Sequence, residues 1–130
     1  MLEGDRQATQ STPAGARIVQ IETHRDGQVV RITLAGELNS AHADSVTEEL
    51  HPLVSVPDAR VVVDLSGLTL IDSSGLSALI NLVTRGRLST ADVVLVGPTP
   101  FVRSVFEVAR LDTFFEIFPT VEAATERLTT

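Results

Sequence analysis

The sequence contains no cysteine, no lysine, no tryptophan and no tyrosine. Without cysteine it has no disulfide, no thiolate metal site and no thiol redox switch. Without lysine it lacks the phosphate-cradling loop that ends in Gly-Lys-Ser/Thr, and Gly-x-Gly-x-x-Gly is absent as well. Its five phenylalanines are the only aromatic residues, too few for a base-stacking platform. Cationic charge is also scarce. Ten arginines face seventeen acidic residues, for a formal net charge of −7 and a pI near 4.8, which argues against nucleic acid and anionic membrane as partners. No apolar run approaches the roughly 18 residues of a membrane span. The polar, acidic N-terminus does not read as a signal peptide, so a soluble, cytoplasmic protein is expected.

What is present is enough apolar material for one core: 130 residues, 43% of them hydrophobic, fit a single globular domain. Residues 1–16 are rich in Gln, Thr, Ser, Pro, Gly and Ala and have little to bury, so a disordered tail is expected there and a folded domain over 17–130. Two alternating runs flank Asp26-Gly27, a hairpin-turn dipeptide, and Val30, Ile32 and Leu34 share one face of the second. After Gly36-Glu37-Leu38, Asn39 or Ser40 is placed to cap a helix. Ala43, Val46 and Leu50 carry that helix toward Pro57. Arg60 to Leu65 reads as a buried central strand, apolar on both faces, followed by a polar loop. Leu76, Leu79, Ile80 and Val83 then mark a second helix, running to about Arg87. Asp92 to Val96 is a further strand. Phe101, Val105, Phe106 and Val108 mark a third helix, Leu111 to Phe118 holds a short strand, and Val121 to Leu128 a last helix. The order β-β-α-β-α-β-α-β-α implies an α/β domain: a small mixed sheet with an opening antiparallel hairpin, mostly parallel strands and about four helices.

Chemistry is sought residue by residue. His42 and His51 lie about two and a half turns apart on one helix and His24 sits at a hairpin, so no metal site is expected. Ser73-Ser74-Gly75 follows a strand and opens a helix, but the nucleophile elbow needs Gly-x-Ser-x-Gly, and no histidine follows Ser73 to serve as base. No cofactor motif is present. The chain does not read as an enzyme. What remains is the Ser73 hydroxyl at a helix N-terminus, where unpaired N–H groups and the helix dipole favour negative charge. Asp72 or Ser73 is suited to cap that helix, and a phosphoryl group on a hydroxyl there would also be tolerated. The two roles are compatible. Ser73, Ser77, Asn81 and Thr84 form a polar, uncharged row that fits either a plain solvent face or a docking surface costing little desolvation.

The run Val61-Val62-Val63-Asp64-Leu65-Ser66-Gly67-Leu68 leading into Ile71-Asp72-Ser73-Ser74-Gly75-Leu76, with Leu34-Ala35-Gly36-Glu37-Leu38-Asn39 upstream, resembles the STAS domain of bacterial anti-sigma factor antagonists, from about Arg17 to Leu128. The resemblance implies partner switching. The unphosphorylated antagonist binds an anti-sigma factor that is a GHKL-type serine kinase, and so releases a sigma factor for transcription. The kinase phosphorylates the serine after the motif aspartate, here Ser73, and a PP2C-type phosphatase restores it. By resemblance the partner-binding residues are Asn39, Asp72, Ser73, Ser74, Gly75 and Ser77. The family commonly has aspartate where this chain has Asn39, which keeps size and capping ability but loses the charge. If that carboxylate serves kinase recognition, phosphorylation is weakened while binding survives. The alternative use of the fold is an unphosphorylated subunit of a stressosome-type assembly or of a transporter complex.

Overall fold

The computed structural model describes residues 19–130. The tail expected at 1–16 lies outside the described residues, as do Arg17 and Ile18. The elements are β1 (Gln20–Asp26), β2 (Val29–Leu38), α1 (Ala43–Val54), β3 (Arg60–Ile71), α2 (Ser73–Leu88), β4 (Asp92–Val96), α3 (Pro100–Val108), β5 (Ile117–Phe118) and α4 (Val121–Thr129). They form one five-stranded sheet in the order β1-β2-β3-β4-β5. β1 pairs antiparallel with β2 and every other pair is parallel, the mixed sheet the element order implies. The hairpin turn sits one residue later than Asp26-Gly27. Asp26 pairs with Val29, and Gly27 takes φ 66° in the loop, a left-handed conformation that glycine adopts without steric cost.

The sheet buries both faces. On one, Ile32, Leu34, Leu38, Val61, Val63, Leu65 and Leu95 pack with Val46, Leu50 and Val54 of α1, Leu79, Leu82 and Val83 of α2, and Val102 and Phe106 of α3. On the other, Val29, Val62, Val94 and Val96 lie with Ala124 and Leu128 of α4. The Val61-Val62-Val63 run is apolar throughout because successive residues feed these two cores in turn. Each such side chain fully withdrawn from water contributes about 1.5–3 kcal/mol.

Three expectations change. β3 does not end at Leu65 in a polar loop; it continues to Ile71. Thr33 pairs with Asp64, Ala35 with Gly67, Gly36 with Leu68 and Glu37 with Leu70, so β3 carries an extra residue at two bulges. The bulges break the period of two, and Leu65, Leu68 and Ile71, all buried, recur every third residue as no regular strand would. The buried stripe of α2 is Ala78, Leu79, Leu82 and Val83, flanked by Gly75 and Gly86, while Leu76 and Ile80 are only partly buried. In α3 the buried pair is Val102 and Phe106; Phe101 is half-exposed and Val108 points to solvent. The Thr99 hydroxyl caps α3 through Val102 N–H and donates to Leu68 O at 3.2 Å, tying the start of α3 to β3.

Candidate functional site

β2 and β3 run parallel and end side by side, with Leu38 opposite Ile71. The segments that follow, Asn39–Ala41 and Asp72–Ser73, therefore emerge next to each other. Asp72 joins them. Its N–H donates to Leu38 O at 3.2 Å, its Oδ1 accepts from Gly75 N–H at 3.0 Å, and its Oδ2 accepts from Ser40 N–H at 3.1 Å. One carboxylate thus caps α2 and fastens the β2–α1 loop. Asp72 has extended backbone (φ −111°, ψ −172°), as an N-cap does, and its carbonyl accepts the first helical bond, from Leu76 N–H at 2.8 Å.

With Asp72 as the cap, Ser73 becomes the first residue of the helix. Its side chain is exposed and its hydroxyl bonds to no other described residue. The N–H groups of Ser73 and Ser74 precede the first possible intrahelical bond, and the positive end of the helix dipole lies at the same spot. Ser74 is half-buried and Ser77 exposed. Gly75 is buried, and a Cβ on it would lie 2.3 Å from Leu38 O. The closeness of α2 to the end of β2 depends on that missing side chain, so Gly75 supplies clearance where the resemblance makes it a surface contact.

Asn39 does not cap α1. Its Oδ1 accepts from Ala41 N–H at 3.0 Å, and its carbonyl accepts from His42 and Ala43 N–H at 3.0 and 2.9 Å. The N-cap is His42, with no side-chain cap bond. Asn39 instead shapes the turn that aims Ser40 N–H at Asp72. The structure thus brings Asn39, Asp72, Ser73, Ser74 and Gly75 together at the ends of β2 and β3, with Ser77 one turn along α2. Ser73, Ser77, Asn81 and Thr84 are all exposed, and Leu88, 78% exposed, continues the row.

Ser40, the other cap candidate, does not cap α1 either, and its bond to Asp72 left no mark in the sequence because it runs through a backbone N–H, which any residue but proline carries. Leu70, 37% exposed at the end of β3, escaped it because the bulges disguised the strand. Among the described residues no group of three or more His, Cys, Asp or Glu is placed to hold a metal ion, and no helix is long and apolar enough to cross a membrane. The arrangement leaves the Ser73 hydroxyl accessible at the helix N-terminus, with the Asp72 carboxylate as its neighbour and held by its own two hydrogen bonds.

Comparison with known proteins gives consistent matches. The family model described as the STAS domain matches residues 20–124. A Bordetella bronchiseptica protein carrying the name anti-sigma factor antagonist BtrV is 34% identical over 99 residues, which span 76% of this chain and 84% of that protein. Among solved structures, an anti-sigma factor antagonist from Mycobacterium paratuberculosis superposes with a TM-score of 0.76 at 21% identity, covering 87% of this chain and 96% of its own. The Bacillus cell fate determinant SpoIIAA in its phosphorylated form superposes with a TM-score of 0.63 at 22% identity, covering 85% and 99%. At such identities the two structures speak to the fold alone.

Proposed function

The chain belongs to the STAS domain family, and from that premise we propose that it is an anti-sigma factor antagonist controlled by phosphorylation of Ser73. Unmodified, it binds an anti-sigma factor of the GHKL serine kinase type and so frees a sigma factor. The kinase then modifies Ser73 and the complex ends, until a PP2C-type phosphatase restores the hydroxyl. The name of the Bordetella relative supports the first half of this reading. The observation that carries the second is the Ser73 hydroxyl, exposed and unengaged at the first position of α2 while Asp72 does the capping.

That division of labour matters chemically. In the transfer, Ser73 Oγ bonds to the γ-phosphorus of ATP, the bond to the β,γ-bridging oxygen breaks, ADP departs and the hydroxyl proton passes to a base on the kinase. Nothing in the helix cap has to be undone, because both carboxylate oxygens of Asp72 are engaged elsewhere. The product carries about −1.5 to −2 charges at neutral pH, beside Asp72 and at the head of an uncharged row. The helix terminus offsets part of that charge, so the domain stays folded while its docking face turns anionic.

The deciding experiment is incubation with the cognate anti-sigma kinase and ATP, followed by mass mapping. One phosphate on Ser73 is expected, and none on the Ser73→Ala variant. Phosphate on Ser74, or none at all, sinks the assignment. Ser73→Glu is expected to weaken the complex by at least about tenfold through like-charge and desolvation cost. Unchanged affinity would refute a charge switch.

A further inference from the structure

At the opposite end of β2 and β3 from Ser73, a cavity of about 500 Å³ opens between the tip of the β1–β2 hairpin, the C-terminal end of α1 and the first residues of β3. Its walls include Val30, Leu53, Val56 and Ala59. Val56 is 54% exposed, a large apolar side chain left to water beside the opening. Arg25 and Arg60 also line it. Arg25 has no acidic partner among the described residues. Arg60 donates from Nη1 to Gln28 Oε1 and likewise has no acidic partner there. The negative features of the rim are Asp58 and the carbonyl end of α1. Asp58 keeps its charge but forms no ion pair with either arginine: its Oδ1 accepts from Thr90 Oγ1 at 3.1 Å and its N–H donates to Thr90 Oγ1, which turns it toward residue 90.

Two guanidiniums with no acidic partner among the described residues thus border a largely apolar wall, in a chain of net charge −7. A guanidinium's planar fork matches a carboxylate, and the volume lies within the range of small-ligand sites, which are mostly apolar with a few placed polar groups. We propose that this cavity binds an amphipathic organic carboxylate, its headgroup held by Arg25 and Arg60 and its apolar chain lying against Val30, Leu53 and Val56. The inference does not depend on the reading of Ser73. α1 separates the two sites, its first residues following the loop that holds Asp72 and its last forming a cavity wall.

The test is an amide NMR titration of the full chain with decanoate, kept below its micelle concentration, beside decanol and acetate as chain-only and head-only controls. Decanoate is expected to shift the amides of residues 25–30 and 52–60 saturably and to leave 73–77 unmoved, while each control binds about tenfold more weakly or worse. Arg25→Gln, a change at an exposed position that should leave folding intact, is expected to weaken decanoate about tenfold. Arg60→Gln should act in the same direction. Absence of saturable shifts overturns the proposal, as does equal binding of decanol or full affinity in the Arg25→Gln variant. So does a short leucine-ended peptide that displaces decanoate from a lower concentration than decanoate itself requires, which would make the cavity a peptide C-terminus site.

Discussion

Gly75 sits where a methyl group has nowhere to go. A Cβ there would meet Leu38 O at 2.3 Å and the Leu38 side chain at 2.8 Å, and a backbone carbonyl at the end of a paired strand gives way only if strand and helix part. Gly75→Ala is therefore expected to cost about 1–3 kcal/mol, the usual range for overpacking, read as a lower denaturation midpoint. A midpoint equal to that of the unaltered protein would show that α2 is not pressed against Leu38. The place of Ser73 was partly legible in the sequence, since a hydroxyl after a β-branched strand and before an apolar-periodic helix falls at a helix N-terminus. The division between Asp72 as cap and Ser73 as free hydroxyl was not. Both residue types cap helices, and only the positions of Gly75 N–H and Ser40 N–H decide between them. Gly75 itself looked like surface, because clearance from a strand distant in sequence leaves no local mark.

For the element α2, one side chain carries two attachments that substitution can separate. Asp72→Ala removes both the cap bond to Gly75 N–H and the acceptor for Ser40 N–H. Asp72→Asn keeps an oxygen for the cap but puts an amide where Ser40 needs an acceptor. Loss of an N-cap costs about 0.5–2 kcal/mol, so Asp72→Ala is expected to be destabilised by about 1 kcal/mol or more, with Asp72→Asn between it and the unaltered protein. Equal effects would mean that the Ser40 contact contributes nothing. Among the elements, β4 and α4 were read close to their observed limits, because their patterns run unbroken between clear stops. β3 was cut short for the opposite reason. Its two bulges change which face each residue takes, and a pairing partner supplied by β2 cannot be seen in the residues of β3 alone. The rotation of α3 was likewise set from outside, by the bond from Thr99 to Leu68 O. Phe101, Val102, Val105 and Phe106 by themselves allow more than one buried face.

In the whole molecule, the second sheet face is covered by α4, which one side chain clasps to the strands. Arg127 donates from Nε and Nη2 to Glu116, both at 3.0 Å, and from Nη1 to Asp92 Oδ2 at 3.0 Å. Hydrogen bonds to Asp92 and then to Glu116 raise its pKa above the ordinary guanidinium range. A raised pKa for a cation means that its contribution is complete below the unfolded value and is lost only as pH rises through the folded one. No pH dependence near neutrality is therefore expected from Arg127. Its side chain is 41% exposed, so Arg127→Met is expected to cost no more than about 1 kcal/mol at low salt, measured by thermal unfolding. The difference should narrow as salt is added; a difference that holds at high salt would point to lost packing by the arginine stem instead. The element order made the layered sheet legible, but a clasp joining residues 92, 116 and 127 was not, because its three members come from separate parts of the chain.

The absence of charge along Ser73, Ser77, Asn81 and Thr84 also has a consequence for ionic strength. A face that carries no charge gives dissolved ions little to screen, so its contribution to a complex should change little between dilute and concentrated salt. A phosphoryl group at its head would be felt across about 30 Å in 0.01 M salt but only about 8 Å at 0.15 M. The contrast between modified and unmodified protein is thus expected to be widest in dilute buffer. As salt rises it should narrow chiefly through the modified form.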